Sequence, residues 1–114
     1  MHELSLARDI VEIASAAASG SDAKRVVTVR VRIGILAAVS SESLAFHFEE
    51  AARNTLLAGA RLTVTAAPVV VRCPACGRDT ELPDVKRFVC VVCGTPTGEV
   101  VSGRELEVES IEIS

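Results

Sequence analysis

At 114 residues with a formal charge of −3, the chain has room for one domain, or for a compact domain carrying a small metal-bound lobe. Its acidity argues against electrostatic binding of nucleic acid and against attraction to an anionic membrane surface, both of which call for a basic face. Three Phe are its only aromatic residues. The core must therefore be built from Val, Ile, Leu and Ala, and a metal clip would supply stability that so small a core lacks.

No stretch approaches the roughly 20 apolar residues of a membrane-spanning helix. Ala14-Ser15-Ala16 mimics a signal-cleavage site, but Glu3, Arg8, Asp9 and Glu12 interrupt any apolar run before it. A mature cytoplasmic N-terminus is the expectation. In a reducing compartment, paired Cys-x-x-Cys motifs mean metal or redox chemistry rather than a disulfide framework.

Residues 3–19 read as a helix, with Leu6, Ile10, Ile13, Ala14 and Ala17 as its apolar stripe and Gly20 as its stop. Residues 25–34 alternate, Val27, Val29, Val31 and Ile33 on one face and Thr28, Arg30 and Arg32 on the other, which predicts a half-buried strand. Ser40 or Ser41 can cap a second helix running to about Asn54, with Leu44, Ala45, Phe48, Ala51 and Ala52 inward and Leu56 just beyond. Residues 61–67 alternate again, with Leu62, Val64 and Ala66 on one side, until Pro68 breaks or bends the strand.

The last strand, residues 105–113, places Leu106 and Val108 inward, then Ile111 and Ile113. The change of parity predicts a β-bulge near Glu109-Ser110. Arg30, Arg32 and Arg61 can lie across from Glu105, Glu107 and Glu109 on the outer face. These elements predict an α+β fold: two helices packed on a three-stranded sheet, with a four-cysteine zinc-ribbon lobe inserted between two strands of that sheet. The domain reading is 1–67 plus 105–114 for the α/β part and 68–104 for the lobe.

The lobe carries Cys73-Pro74-Ala75-Cys76-Gly77 and Cys90-Val91-Val92-Cys93-Gly94. A two-residue gap lets both thiolates of a pair reach one ion from a tight turn. Glycine after the second cysteine accepts positive φ, which turns backbone N–H groups toward sulfur. Two such knuckles give Cys73, Cys76, Cys90 and Cys93 as four soft ligands with no open position, a structural Zn(II) site. Rubredoxin-like iron is the alternative, because ligand type does not separate the two metals. Four thiolates leave the centre at a formal −2, and Arg72, Arg78, Lys86 and Arg87 are close enough in sequence to offset it.

Met1-His2-Glu3 carries different chemistry. A free α-amine has a pKa of about 7.7–8.0, so a metal can displace its proton near neutral pH. That amine, the His2 backbone nitrogen and the His2 imidazole can close fused chelate rings, with the Glu3 backbone nitrogen as fourth donor. A planar nitrogen set suits Ni(II) or Cu(II) rather than tetrahedral zinc. His47, the other histidine, sits mid-helix between Phe46 and Phe48 off the main stripe, a surface or partly packed position, with a role in nickel or partner contact as the alternative.

Met1-His2-Glu3-Leu4-Ser5-Leu6, Gly34 through Val39, Glu42-Ser43-Leu44-Ala45-Phe46, Gly59-Ala60-Arg61-Leu62, the two knuckles and the closing Ser102-Gly103-Arg104-Glu105-Leu106 together resemble the HypA/HybF family of hydrogenase nickel-insertion accessory proteins. The resemblance spans essentially the whole chain. It implies a nickel metallochaperone for nickel–iron hydrogenase, some relatives also serving urease. By it, Met1, His2 and Glu3 would hold Ni(II) as cargo and the four cysteines Zn(II). A nickel-handling GTPase of the same pathway and a hydrogenase large subunit are the implied partners, and a second copy of the chain is a further candidate. No nucleophile set remains once the cysteines hold zinc, so no enzyme is expected. A zinc-ribbon interaction module and a rubredoxin-like electron carrier are the competing readings.

Overall fold

The computed structural model describes residues 2–114. Helix α1 (Glu3–Ser19) starts at His2, whose extended backbone (φ −82°, ψ 113°) makes it the N-cap without a capping side-chain bond. The His2 carbonyl accepts the first intrahelical bond from Leu6 N at 3.1 Å. The buried face comprises Leu6, Ala7, Ile10, Val11, Ala14 and Ala18, while Ile13 is 53% exposed and Ala17 also faces out. The stripe is thus rotated from the expected one toward Ala7, Val11 and Ala18. Helix α1 packs against α2 (Ser41–Ala51).

Ser40 caps α2 by accepting a bond from Ser43 N at 3.3 Å. The helix stops at Ala51 rather than near Asn54, because Asn54 takes a left-handed φ of 62° and Thr55 closes the turn by donating to Ala52 O at 2.6 Å. Leu44, Phe48 and Ala52 are buried and Ala45 is exposed; beyond the helix it is Leu57, rather than the expected Leu56, that is fully buried.

Strands β1 (Val26–Gly34), β2 (Arg61–Ala67) and β6 (Leu106–Ile113) form one sheet in the order β2-β1-β6. Val29, Val31 and Ile33 are buried as the alternation requires, and Val26 is buried too. On β2 the face changes before Pro68: Leu62 and Val64 are half-buried, then Ala66 is exposed and Ala67 buried. On β6 the face changes between Val108 and Ile111, both half-buried, although Leu106 and Ile113 lie further out than expected at 38% and 44% exposed. Arg32 meets Glu107 at 3.9 Å, a half-exposed pair worth at most about 1 kcal/mol.

A second sheet, absent from the sequence reading, joins β3 (Val70–Arg72), β4 (Asp79–Glu81) and β5 (Val100–Ser102) in the antiparallel order β4-β3-β5. Val69, Val71 and Leu82 form its core, with Leu36, Phe88 and Val100 against them. The chain divides into two compact units. The first holds the described residues up to Arg32, with Val39–Thr65 and Glu107–Ser114; the second holds Ile33–Ala38 and Ala66–Leu106.

Within the second unit two glycine backbones lie against one another. Gly34 N donates to Glu105 O at 2.7 Å and Leu36 N to Gly103 O at 2.9 Å. A Cβ on Gly34 would penetrate the Gly103 carbonyl and Arg104 N, all of it backbone that cannot swing aside. Glu105 does not join the outer sheet face as the alternation predicts. Instead its carboxylate turns back to accept from Gly103 N and from the Ser102 hydroxyl, the latter at 2.8 Å. The Gly103 N–H, then the Ser102 hydroxyl, hold its carboxyl down at about 2.

Gly34→Ala should cost at least about 1–3 kcal/mol, the usual penalty of overpacking, read as a lowered urea midpoint. An unchanged midpoint would show that the two backbones can part. Because the Glu105 carboxyl titrates lower when folded than its ordinary 4.5, its contribution is complete above that value and is lost as pH falls toward about 2. Glu105→Gln should therefore flatten the acid limb of stability in urea melts at stepped pH. Identical slopes for both proteins would rule this out.

Candidate functional site

The two Cys-x-x-Cys-Gly segments fold alike because each glycine takes positive φ, 72° at Gly77 and 77° at Gly94. Gly77 N donates to Cys73 O and Gly94 N to Cys90 O, both at 2.8 Å. Cys73 N reaches Arg78 O and Cys90 N reaches Thr95 O, both at 2.9 Å. In each knuckle the first cysteine is buried and the second exposed. The amides then repeat the pattern at sulfur. Cys76 N points at the Cys73 sulfur at 3.5 Å and Cys93 N serves Cys90, while Arg78 N serves Cys76 and Thr95 N serves Cys93.

The four sulfurs all lie within 4.8 Å of one another, with Cys73 to Cys93 at 3.5 Å and Cys76 to Cys90 at 3.7 Å. A disulfide would need about 2.05 Å. A tetrahedron with metal–sulfur bonds of about 2.3 Å has edges near 3.8 Å, so the cluster fits a structural zinc site. An amide directed at each sulfur completes the fit, since N–H groups aimed at thiolates offset the charge of the centre.

The knuckles differ between their cysteines and just after their glycines. Thr95 occupies the place that Arg78 has in the first, and its hydroxyl lies 3.1 Å from the Cys93 sulfur. That hydroxyl, then the Thr95 N–H, pull the Cys93 thiol down to about 6. Cys90 is lowered too, by the Cys93 and Val92 amides. At Cys76 the Arg78 amide pulls down, but desolvation and the three neighbouring thiols outweigh it and leave the thiol at about 11. As bare thiols the set ionises unevenly; a dication makes four thiolates tolerable together. Arg72, one of the cations expected to offset the centre, is instead bidentate to Asp79 at 2.9 and 3.3 Å. Thr97, also unnoticed in the sequence, is buried and donates to Arg72 O at 2.6 Å, tying β3 to the segment after the second knuckle.

The N-terminal candidates lie in the first unit. Met1 is outside the described residues. His2 is exposed and Glu3 half-buried, and with Leu4, Ser43 and His47 they line an open pocket of 530 Å³. His2 and Glu3 are the first residues of a helix start, whose leading N–H groups have no intrahelical acceptor, so their amide nitrogens are not committed to the helix. The sequence left His47 between a surface position and a nickel or partner contact, and the structure places it on the same pocket. Its position off the α2 stripe was a signal, but only the packing of α2 on α1 shows where it leads.

Helices, sheets and a four-sulfur centre define a small α+β metal-binding protein. Residues 1–113 match the family described as "Hydrogenase/urease nickel incorporation, metallochaperone, hypA", and the chain belongs to that HypA family. It is 46% identical over 112 residues to the hydrogenase maturation factor HypA of Chloroflexus aggregans, covering 98% of both chains. It is 43% identical over 116 residues to that of Desulfosudis oleivorans, covering 99% of this chain and 98% of the relative. Its fold matches the solution structure of the Ni metallochaperone HypA from Helicobacter pylori with a TM-score of 0.74 at 23% identity, over 99% of this chain and 97% of the other.

Thr95→Val removes a hydroxyl from Cys93 and should raise that thiol, so protons compete better with the metal. Zinc release on acidification, followed with a chromogenic chelator, should begin at higher pH, with affinity at neutral pH lowered by about tenfold. An unshifted release curve would show that the hydroxyl leaves Cys93 alone.

Proposed function

We infer that this chain is a nickel metallochaperone that carries Ni(II) for incorporation into hydrogenase, and in some settings urease, and that it is a carrier rather than a catalyst. The observation that supports this most is the family match over residues 1–113, which includes the Met1-His2-Glu3 start. The nickel ligands we propose are the Met1 amine, the His2 backbone and imidazole nitrogens, and the Glu3 backbone nitrogen. Residues 1–67 with 105–114 form the nickel-handling part, and Cys73, Cys76, Cys90 and Cys93 in 68–104 hold the structural zinc.

The local physics supports the choice. A cation at a helix N-terminus meets the positive end of the macrodipole. Binding through two deprotonated amides removes that conflict, because Ni(II) with two amide anions carries no net charge. The exposed His2 imidazole has no capping bond to give up. Among the described residues no helix is long and apolar enough to cross a membrane. The compartment we assign is the cytoplasm, where paired Cys-x-x-Cys thiols stay reduced and free to hold metal. The partners we assign are the nickel-handling GTPase of hydrogenase maturation and the hydrogenase large subunit, with a second copy of the chain as a further candidate. The net charge of −3 gives no support to a nucleic-acid partner.

His2→Ala should abolish nickel uptake, read by calorimetry on untagged protein, while zinc content and circular dichroism stay as in the wild type. A few residues added before Met1 should do the same. Nickel binding that survives both changes would remove the carrier assignment.

A further inference from the structure

The wall of the N-terminal pocket contributed by α2 carries an unexplained nitrogen. His47 Nδ1 is buried and has no hydrogen-bond partner among the described residues. Buried imidazole nitrogens in folded proteins ordinarily donate to, or accept from, a neighbouring group, which fixes the tautomer and holds the ring. The ring makes an edge-on approach to Phe46, with centroids 5.4 Å apart and planes at 76°. Phe46 is itself 60% exposed, so this contact does little to fix the imidazole. The ring nevertheless lines the same 530 Å³ opening as His2 and Glu3.

We propose that His47 is a further nickel ligand, its imidazole on the pocket wall adding a nitrogen donor to the ion held at the start of α1. The proposal rests on the nickel reading of Met1, His2 and Glu3. An imidazole is a donor type that Ni(II) accepts readily, and an unsatisfied ring nitrogen loses no existing bond on binding. Among the described residues only the four cysteines already have their ligand atoms gathered as a metal cluster. His47 therefore joins by movement, and the exposed, uncapped His2 side chain and the weakly held His47 ring are the parts that can move. A fifth nitrogen would lift the ion out of planar four-coordination. A donor from α2 that adds and leaves would give the carrier a way to change its grip on the cargo for transfer.

The test uses the untagged, zinc-loaded full chain, titrated with Ni(II) alone. Wild type, His47→Ala, His47→Gln and His2→Ala are compared by calorimetry and nickel K-edge absorption. Both His47 variants should still bind one nickel in a His2-dependent manner, with a Kd raised at least about tenfold. Their edge spectra should acquire the shoulder of planar nickel that the wild type lacks. Wild-type Kd and edge shape in the His47 variants would overturn the proposal. So would recovery of affinity in His47→Gln alone, because a polar wall rather than a ligand would then suffice. Zinc content and circular dichroism report whether each variant is folded. If the wild type takes no nickel, or takes it independently of His2, the carrier reading itself falls; its failure is thus distinct from failure of the His47 assignment alone.

Discussion

Four sulfur atoms held within 4.8 Å of one another would repel strongly as thiolates and pack poorly as thiols. A dication at their centre turns that repulsion into attraction, and it does so only if the backbone has already aimed every sulfur inward. The two glycine turns at Gly77 and Gly94 supply that aim, and the amides of Cys76, Arg78, Cys93 and Thr95 supply the donors. The unit around the site has a modest apolar core centred on Val69, Val71 and Leu82. A core of that size adds little by area alone, so the metal carries much of its stability. Thr97, Glu105 and the apposed glycines then fix the strands that lead into and out of the knuckles.

The start of α1 works by the opposite logic. Among the described residues there, His2 lacks a capping side-chain bond, its side chain is exposed, and the first amides of the helix have no intrahelical acceptor. What would be a weakness in a structural helix is a usable property in a site meant to take up an ion and give it away. On the proposed nickel reading, the closed sulfur centre and the open helix start would divide the labour between an ion that stays and an ion that passes through.

Much of this was legible in the sequence because the motifs encode local geometry. Cys-x-x-Cys-Gly fixes a turn within five residues, and Ser40 with Ser43 fixes a helix start within four, so both appear as read. The alternation of β1 is long enough to show its face. Other features depend on residues distant in the chain. Strands β3, β4 and β5 are three residues each, too short to display a period of two. The approach of Gly34 to Gly103 joins segments that share no pattern, and Glu105 looked like one more outer-face charge until its neighbours were known. The α1 face was misplaced because alanines count weakly in a hydrophobic stripe, yet Ala7 and Ala18 are buried while Ile13 is exposed. For His47 the sequence left two readings open, because helix packing rather than spacing puts it on one pocket with His2.

The alternation of buried and exposed cysteines has a kinetic meaning. Cys73 and Cys90 are shielded, whereas Cys76 and Cys93 face solvent, one from each knuckle. Any incoming chelator, oxidant or competing soft ion such as Cu(I) must therefore begin at Cys76 or Cys93 and peel the centre open stepwise. The shielded pair keeps hold of the original ion while that happens, so a brief attack can be reversed by simple rebinding before the lobe lets go.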